Sequence, residues 1–179
     1  LWLGIAAGVL LLTGTMHITG YQQVPLLGLW ILSALLNTIM QELLIRGYLY
    51  QLIKAQYSTA AAAIATTALF TFLHGGALEA GIIPTLNVVT MSLLMGLILE
   101  YTQSLLAPTV MHFLWNCIGG ILLGGVSLAE DYPQLCRTEF TGPVLLSGGA
   151  PKMEGSIVVL LLNLLLIAGF AALLKKRKQ

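Results

Sequence analysis

Charged residues punctuate this chain at long intervals. No Asp, Glu, Lys or Arg occurs before Glu42, and further uncharged runs span 55–78, 80–99, 101–129 and 155–174. A helix needs about 20 mainly apolar residues to cross the hydrocarbon core of a bilayer. The runs predict helices over 1–16, 24–55, 58–75, 84–101, 104–125 and 155–174. Turn chemistry marks the breaks. His17 through Gln23 separates the first two helices, and Pro25 opens the second. Ser58 is placed to cap the third, Gly75-Gly76 to close it, and Pro84 to open the fourth. The second segment is too long for one simple span, and its amphipathic tail, Arg46 to Tyr57, is expected to leave the hydrocarbon. The expected fold is all-α: a polytopic transmembrane helix bundle of about six helical segments, forming one domain over 1–179.

Composition sharpens this picture by exclusion. The 179 residues include 8 Lys and Arg and 7 Asp and Glu, and 58% are hydrophobic. Mean hydropathy is +0.91. Soluble domains carry about a quarter charged residues. A disordered chain, a nucleic-acid binder with a basic surface and an ordinary water-soluble globule are all excluded. The net charge of +1 identifies no partner. Cys117 lies in an apolar run and Cys136 in a polar loop, so no disulfide and no cysteine metal motif is expected. The chain begins at Leu1 inside an apolar stretch, so N-terminal truncation is expected.

Orientation follows from where the basic residues fall. With the tail 175–179 in the cytoplasm, Arg46 and Lys54 fall on the same side as Lys175-Lys176-Arg177-Lys178. Only Arg137 and Lys152 then lie outside, together with Glu79, Glu130, Asp131, Glu139 and Glu154. The long 126–154 segment becomes an extracytoplasmic loop or cap. The expected location is a multi-pass position in a bacterial-type cell membrane. Tyr48, Tyr50 and Tyr57 suit an interfacial aromatic belt.

Polar and ionisable groups within apolar spans are costly and read first as functional. Three clusters stand out: Gln41-Glu42 with Arg46, Phe70 with His74, and His112 with Asn116. Glu42 and Arg46, four apart, share a helix face and can pair; His112 and Asn116 also share one. Gln41 and His74 lie about equally far from the turn near 57–58, roughly 24 Å along antiparallel helices. The spacing permits all three clusters to meet inside the membrane. Each has a plainer reading: a structural ion pair at Glu42–Arg46, an interfacial histidine at His74, interhelical glue at Asn116.

In order and spacing the clusters resemble the CAAX protease and bacteriocin-processing (CPBP, or ABI) family of intramembrane endopeptidases. Its motifs read Glu-Glu-x-x-x-Arg, Phe-x-x-x-His and His-x-x-x-Asn. Gly47, the Leu-Ala-Pro stretch before His112 and the stretch Leu145-Leu146-Ser147-Gly148-Gly149…Glu154-Gly155-Ser156 are also similar to the family. One position departs: Gln41 replaces the first glutamate, which the resemblance implies is the general base. An amide oxygen is a very weak base and an amide nitrogen takes no proton from water. The resemblance therefore implies a peptidase site that binds but hydrolyses poorly. Glu and Gln are nearly isosteric, so a deliberate substitution is the simplest account, and a naturally impaired relative the other.

The implied chemistry uses Gln41 (as Glu), Glu42, Arg46, His74, His112 and Asn116. A glutamate at 41 and His74 would activate water. His112 and Asn116 would bind the oxyanion, and Glu42 would hold Arg46 or orient His74. No cofactor is expected; if zinc were bound, His74 and His112 would be its ligands. The implied substrate is a peptide or lipidated protein reached among membrane lipids, with no nucleic acid. Two other functions stay open: a non-catalytic scaffold or bacteriocin-immunity protein with the same fold, and a small transporter using Glu42, His74 and His112 as a relay.

Overall fold

The computed structural model describes residues 1–127 and 132–177. Glu130, Asp131 and Lys178, used above to argue orientation, lie outside the described residues. The fold is a helix bundle with one small sheet. Its elements run α1 (Trp2–Leu12), β1 (Met16–Tyr21), α2 (Leu27–Gln56), α3 (Thr59–Leu73), α4 (Gly75–Ala80), α5 (Ile82–Thr102), α6 (Leu106–Leu122), β2 (Cys136–Phe140), α7 (Val144–Ser147) and α8 (Ile157–Arg177). The six helices expected from the apolar runs are α1, α2, α3, α5, α6 and α8, within a few residues at each end.

Three of them, α2, α5 and α8, are long and apolar enough to cross a membrane, with mean hydropathies of 1.5, 2.1 and 2.9. At 1.5 Å per residue, 21 residues of α5 or α8 reach about 31 Å, the thickness of the hydrocarbon core. Ser58 caps α3 as anticipated, its side chain accepting from Ala61 N. Pro84 falls inside the first turn of α5 rather than at its start. That turn leaves its N–H groups unbonded within the helix, so proline costs little there.

Two expectations need correction. The first helix ends at Leu12, and Met16–Tyr21, placed partly in that helix and partly in a gap, forms β1. Its partner is β2, paired antiparallel with Met16 opposite Phe140 and Tyr21 opposite Cys136. The ladder satisfies backbone groups that a coil there would leave to water. The second concerns Tyr50, on the tail of α2. The helix runs without a break to Gln56, and Arg46 and Tyr50 are buried in the bundle. Tyr50 packs with Ala62 and Leu99 rather than lying in an interfacial belt. Small residues on α3 allow the close approach that covers this face.

The main apolar core joins α1, α5, α6 and α8. Leu3, Ala6 and Leu10 meet Met95, Trp115 and Val159 there. Trp2 stacks on Trp115 with ring centroids 4.5 Å apart, and its Nε1 donates to Asn163 Oδ1 at 2.9 Å. Asn163 in turn donates to Thr90 Oγ1 at 3.0 Å. Both cysteines are buried free thiols.

Candidate active site

The site begins where two helices widen. In α2 the turns over Leu43–Leu49 are π-helical, and in α6 those over Trp115–Leu122. Such insertions re-aim side chains and recur at functional sites. The first carries Arg46 and follows Glu42; the second carries Asn116 and follows His112. Gly47 lets the helices approach: a Cβ there would stand 3.2 Å from Leu105 Cδ2.

Glu42 is the hub of a buried network. Its Oε1 accepts from Arg46 Nη1 and from His112 Nδ1, each at 2.8 Å. Arg46 Nη2 donates to Ser92 Oγ at 2.9 Å, and Thr67 Oγ1 lies 3.2 Å from that hydroxyl. Glu42, Arg46 and His112 are at most 2% exposed. A carboxylate only accepts, so His112 holds its proton on Nδ1 and leaves Nε2 for the cavity. Of the two roles expected for Glu42, holding Arg46 or orienting His74, the structure shows the first. Glu42 orients His112, while His74 Nδ1–H donates to Phe70 O at 2.8 Å. A carbonyl also only accepts, so His74 likewise keeps Nε2 for the cavity.

Phe70 spaces these groups. It stacks on His74 at 4.2 Å between centroids and meets His112 edge-on at 5.6 Å. The Arg46 guanidinium carbon lies 4.4 Å from the Phe70 centroid on its other flank. A cation over a ring face is favoured by the ring quadrupole. The two imidazoles end 6.3 Å apart, centroid to centroid.

Gln41, His74, His112 and Asn116 all line one cavity of about 710 Å³. Glu42 and Arg46 stand behind its wall. Gln41 Nε2 donates to Asn37 Oδ1 at 3.3 Å, and Asn116 Nδ2 reaches Thr38 Oγ1 at 3.5 Å. One side of the cavity is an apolar stripe of α2, Leu29, Leu32, Leu36 and Met40, which is also exposed on the bundle surface. Trp30 and Trp115 line the cavity too. His17 does not approach the site; it is exposed on β1 opposite Glu139.

The chain matches the family model described as type II CAAX prenyl endopeptidase Rce1-like over residues 22–118. It belongs to the Rce1-like family. No curated protein and no solved structure matches it. The matched stretch contains each of Gln41, Glu42, Arg46, His74, His112 and Asn116. The Rce1-like assignment and the three long apolar helices together make this an integral membrane protein of a protease family.

Two participants in the candidate site carried no sequence signal strong enough to assign them. Ser92, which anchors Arg46, is a lone serine in an apolar helix with no spacing to mark it. Glu154, which lines the cavity, was visible only as part of the Gly148-Gly149…Glu154-Gly155 stretch. Among the described residues, no three His, Cys, Asp or Glu side chains are grouped to hold a metal ion. Two imidazoles beside an amide at position 41 are a poor match to the three-ligand set of a catalytic zinc.

Proposed function

We propose that this chain is an intramembrane endopeptidase of the CAAX type whose hydrolytic step is impaired by Gln41. The supporting observation is the shared cavity: two imidazoles, each tied at Nδ1, turn Nε2 toward the same space as Gln41 and Asn116. With glutamate at 41, the carboxylate takes a proton from a water held beside His74, and the hydroxide adds to the scissile carbonyl carbon. Asn116 Nδ2 donates to the oxyanion, and so does His112 through Nε2 when that nitrogen carries a proton. The departing amine collects the proton from the glutamate. Gln41 can hold the water but not take its proton. The exposed apolar stripe on α2 favours a substrate that arrives from the membrane, a membrane-associated or lipidated peptide. A second reading, a scaffold or immunity protein that binds peptide without cutting it, is favoured by Gln41 alone.

The test is Gln41→Glu, assayed in detergent or nanodiscs with quenched fluorescent lipidated peptides. General-base assistance is worth about 10²–10⁴-fold, so cleavage should rise by that factor with peptide affinity little changed. Adding His74→Ala should abolish it, and a chelator should not alter it. A parent protein that already cleaves as fast as Gln41→Glu would overturn the role of position 41. A Gln41→Glu protein that binds but never cleaves would favour the scaffold.

A further inference from the structure

Asn37 is a polar side chain in the apolar first half of α2, where it costs both helix propensity and desolvation. It lies four residues before Gln41, so the two share a face of the helix. Both line the cavity that holds His74, His112 and Asn116. The reaction above gives Asn37 no part.

Among the described residues, the Gln41 side chain makes one hydrogen bond, from Nε2 to Asn37 Oδ1 at 3.3 Å. Asn37 in turn donates from Nδ2 to the Tyr132 hydroxyl at 3.2 Å. Tyr132 comes from the chain between α6 and β2 and lines the same cavity. Its ring stands edge-on to Trp30 of α2, with centroids 6.4 Å apart and planes at 84°. A hydrogen-bonded chain therefore runs from position 41 back along α2 and ends on a residue of another segment.

With Gln41 in place, the donors at 41 and 37 both point away from the catalytic position, toward Tyr132. A carboxylate at 41 only accepts. Asn37 would then turn its amide over, giving Nδ2 to position 41 and Oδ1 to Tyr132. The phenol can follow, because a hydroxyl both donates and accepts. Asn37 can thus hold either Gln or Glu at 41, whereas an aspartate at 37 could hold only Gln. Holding matters because a general base must come within about 2.6–3.2 Å of the atom whose proton it takes. The side chain at 41 is half-buried and faces a cavity of about 710 Å³, so a glutamate there has room to swing away. A misplacement of about 1 Å can cost about 10²-fold in rate. We propose that Asn37, itself held by Tyr132, is the positioning residue for the side chain at 41, fixing a glutamate there against the water beside His74. The assignment deepens the peptidase reading and rests on it for that water.

The experiment uses the full chain in nanodiscs with the fluorescent lipidated peptide of the cleavage test. In the Gln41→Glu background, Asn37→Leu should lower kcat about 10- to 100-fold and leave KM within about twofold. In the parent, where Gln41 prevents turnover from interfering, Asn37→Leu should change peptide affinity by no more than about twofold. Asn37→Asp should leave binding by the parent unchanged, since the Gln41 amide can donate to it. With Gln41→Glu the two carboxylates repel, and kcat should fall at least as far as with Asn37→Leu. Tyr132→Phe removes only a hydroxyl. It should lower kcat about threefold when Asn37 is present and not at all in the Asn37→Leu background, because Tyr132 acts through Asn37. An unchanged kcat, a loss carried by KM, or a Tyr132→Phe effect that persists with Asn37→Leu overturns the proposal. If Gln41→Glu never cleaves, the peptidase reading falls, and the carboxylate stretch that Gln41→Glu adds to the infrared spectrum decides the contact. That band should shift on Asn37→Leu; a band that stays in place overturns the holding role as well.

Discussion

Single atoms divide the labour among the motif residues. Glu42 Oε1 accepts from both Arg46 and His112, so it is an anchor, and its removal strands a buried cation. Breaking a buried pair by deleting one partner costs about 3–5 kcal/mol. Glu42→Ala should lose stability on that scale, measured by denaturant unfolding in detergent. His74→Ala should lose far less, since His74 ends its helix and its imidazole bonds, among the described residues, to the Phe70 carbonyl of the preceding turn. In the Gln41→Glu background, however, His74→Ala should lose all cleavage. Equal stability losses for the two variants would contradict this division. The sequence made the pairing of Glu42 with Arg46 legible, because four-residue spacing fixes a shared helix face. It did not reveal that His112 shares the same oxygen. That contact spans 70 residues and depends on how α2 and α6 cross.

Elements were legible in proportion to how local their causes are. The long helices follow from run length and burial of backbone groups, and their ends from Ser58, Gly75-Gly76 and proline. The two strands depend on each other across 115 residues of chain or more, from Tyr21 to Cys136, and neither shows sustained alternation. The π-helical turns were also illegible, since no residue pattern in α2 or α6 marks them; they lie where the two helices pack. Gly47 is the sequence's one trace of that crossing. The Leu105 methyl facing it is the end of a flexible side chain, so Gly47→Ala should be tolerated with a small shift. Gly47→Leu overfills the contact and should cost about 1–3 kcal/mol. Because the crossing sets His112 against Glu42, the same variant should slow cleavage in the Gln41→Glu background. Unfolding and cleavage measured together check this; a Gly47→Leu protein of full stability and full activity would show the crossing to be slack.

At the scale of the whole molecule, the basic residues described outside the buried Glu42–Arg46 pair lie toward the two ends of the bundle. Lys54 pairs with Glu100 at 2.6 Å, and the Arg177 guanidinium lies over the Tyr101 ring at 5.9 Å. The C-termini of α2, α5 and α8 therefore share one end, which also carries Lys175 and Lys176. Arg137, on β2, and Lys152, in the turn before α8, belong to the opposite end, with the loop that supplies Glu154. Lys and Arg near span ends concentrate on the cytoplasmic side. We infer that the α8 C-terminus faces the cytoplasm and the β1–β2 sheet faces outward. Single cysteines at exposed positions read this directly. Gln103→Cys lies at the basic end, just after α5, and Glu139→Cys on β2; both positions are exposed. Cys117 and Cys136 are buried and contribute little background. An impermeant maleimide added to intact cells should label Glu139→Cys and reach Gln103→Cys only after lysis. The reverse pattern would invert the molecule in its membrane. The candidate cavity, whose lining includes Tyr132 and Glu154, would then take its substrate from the other side.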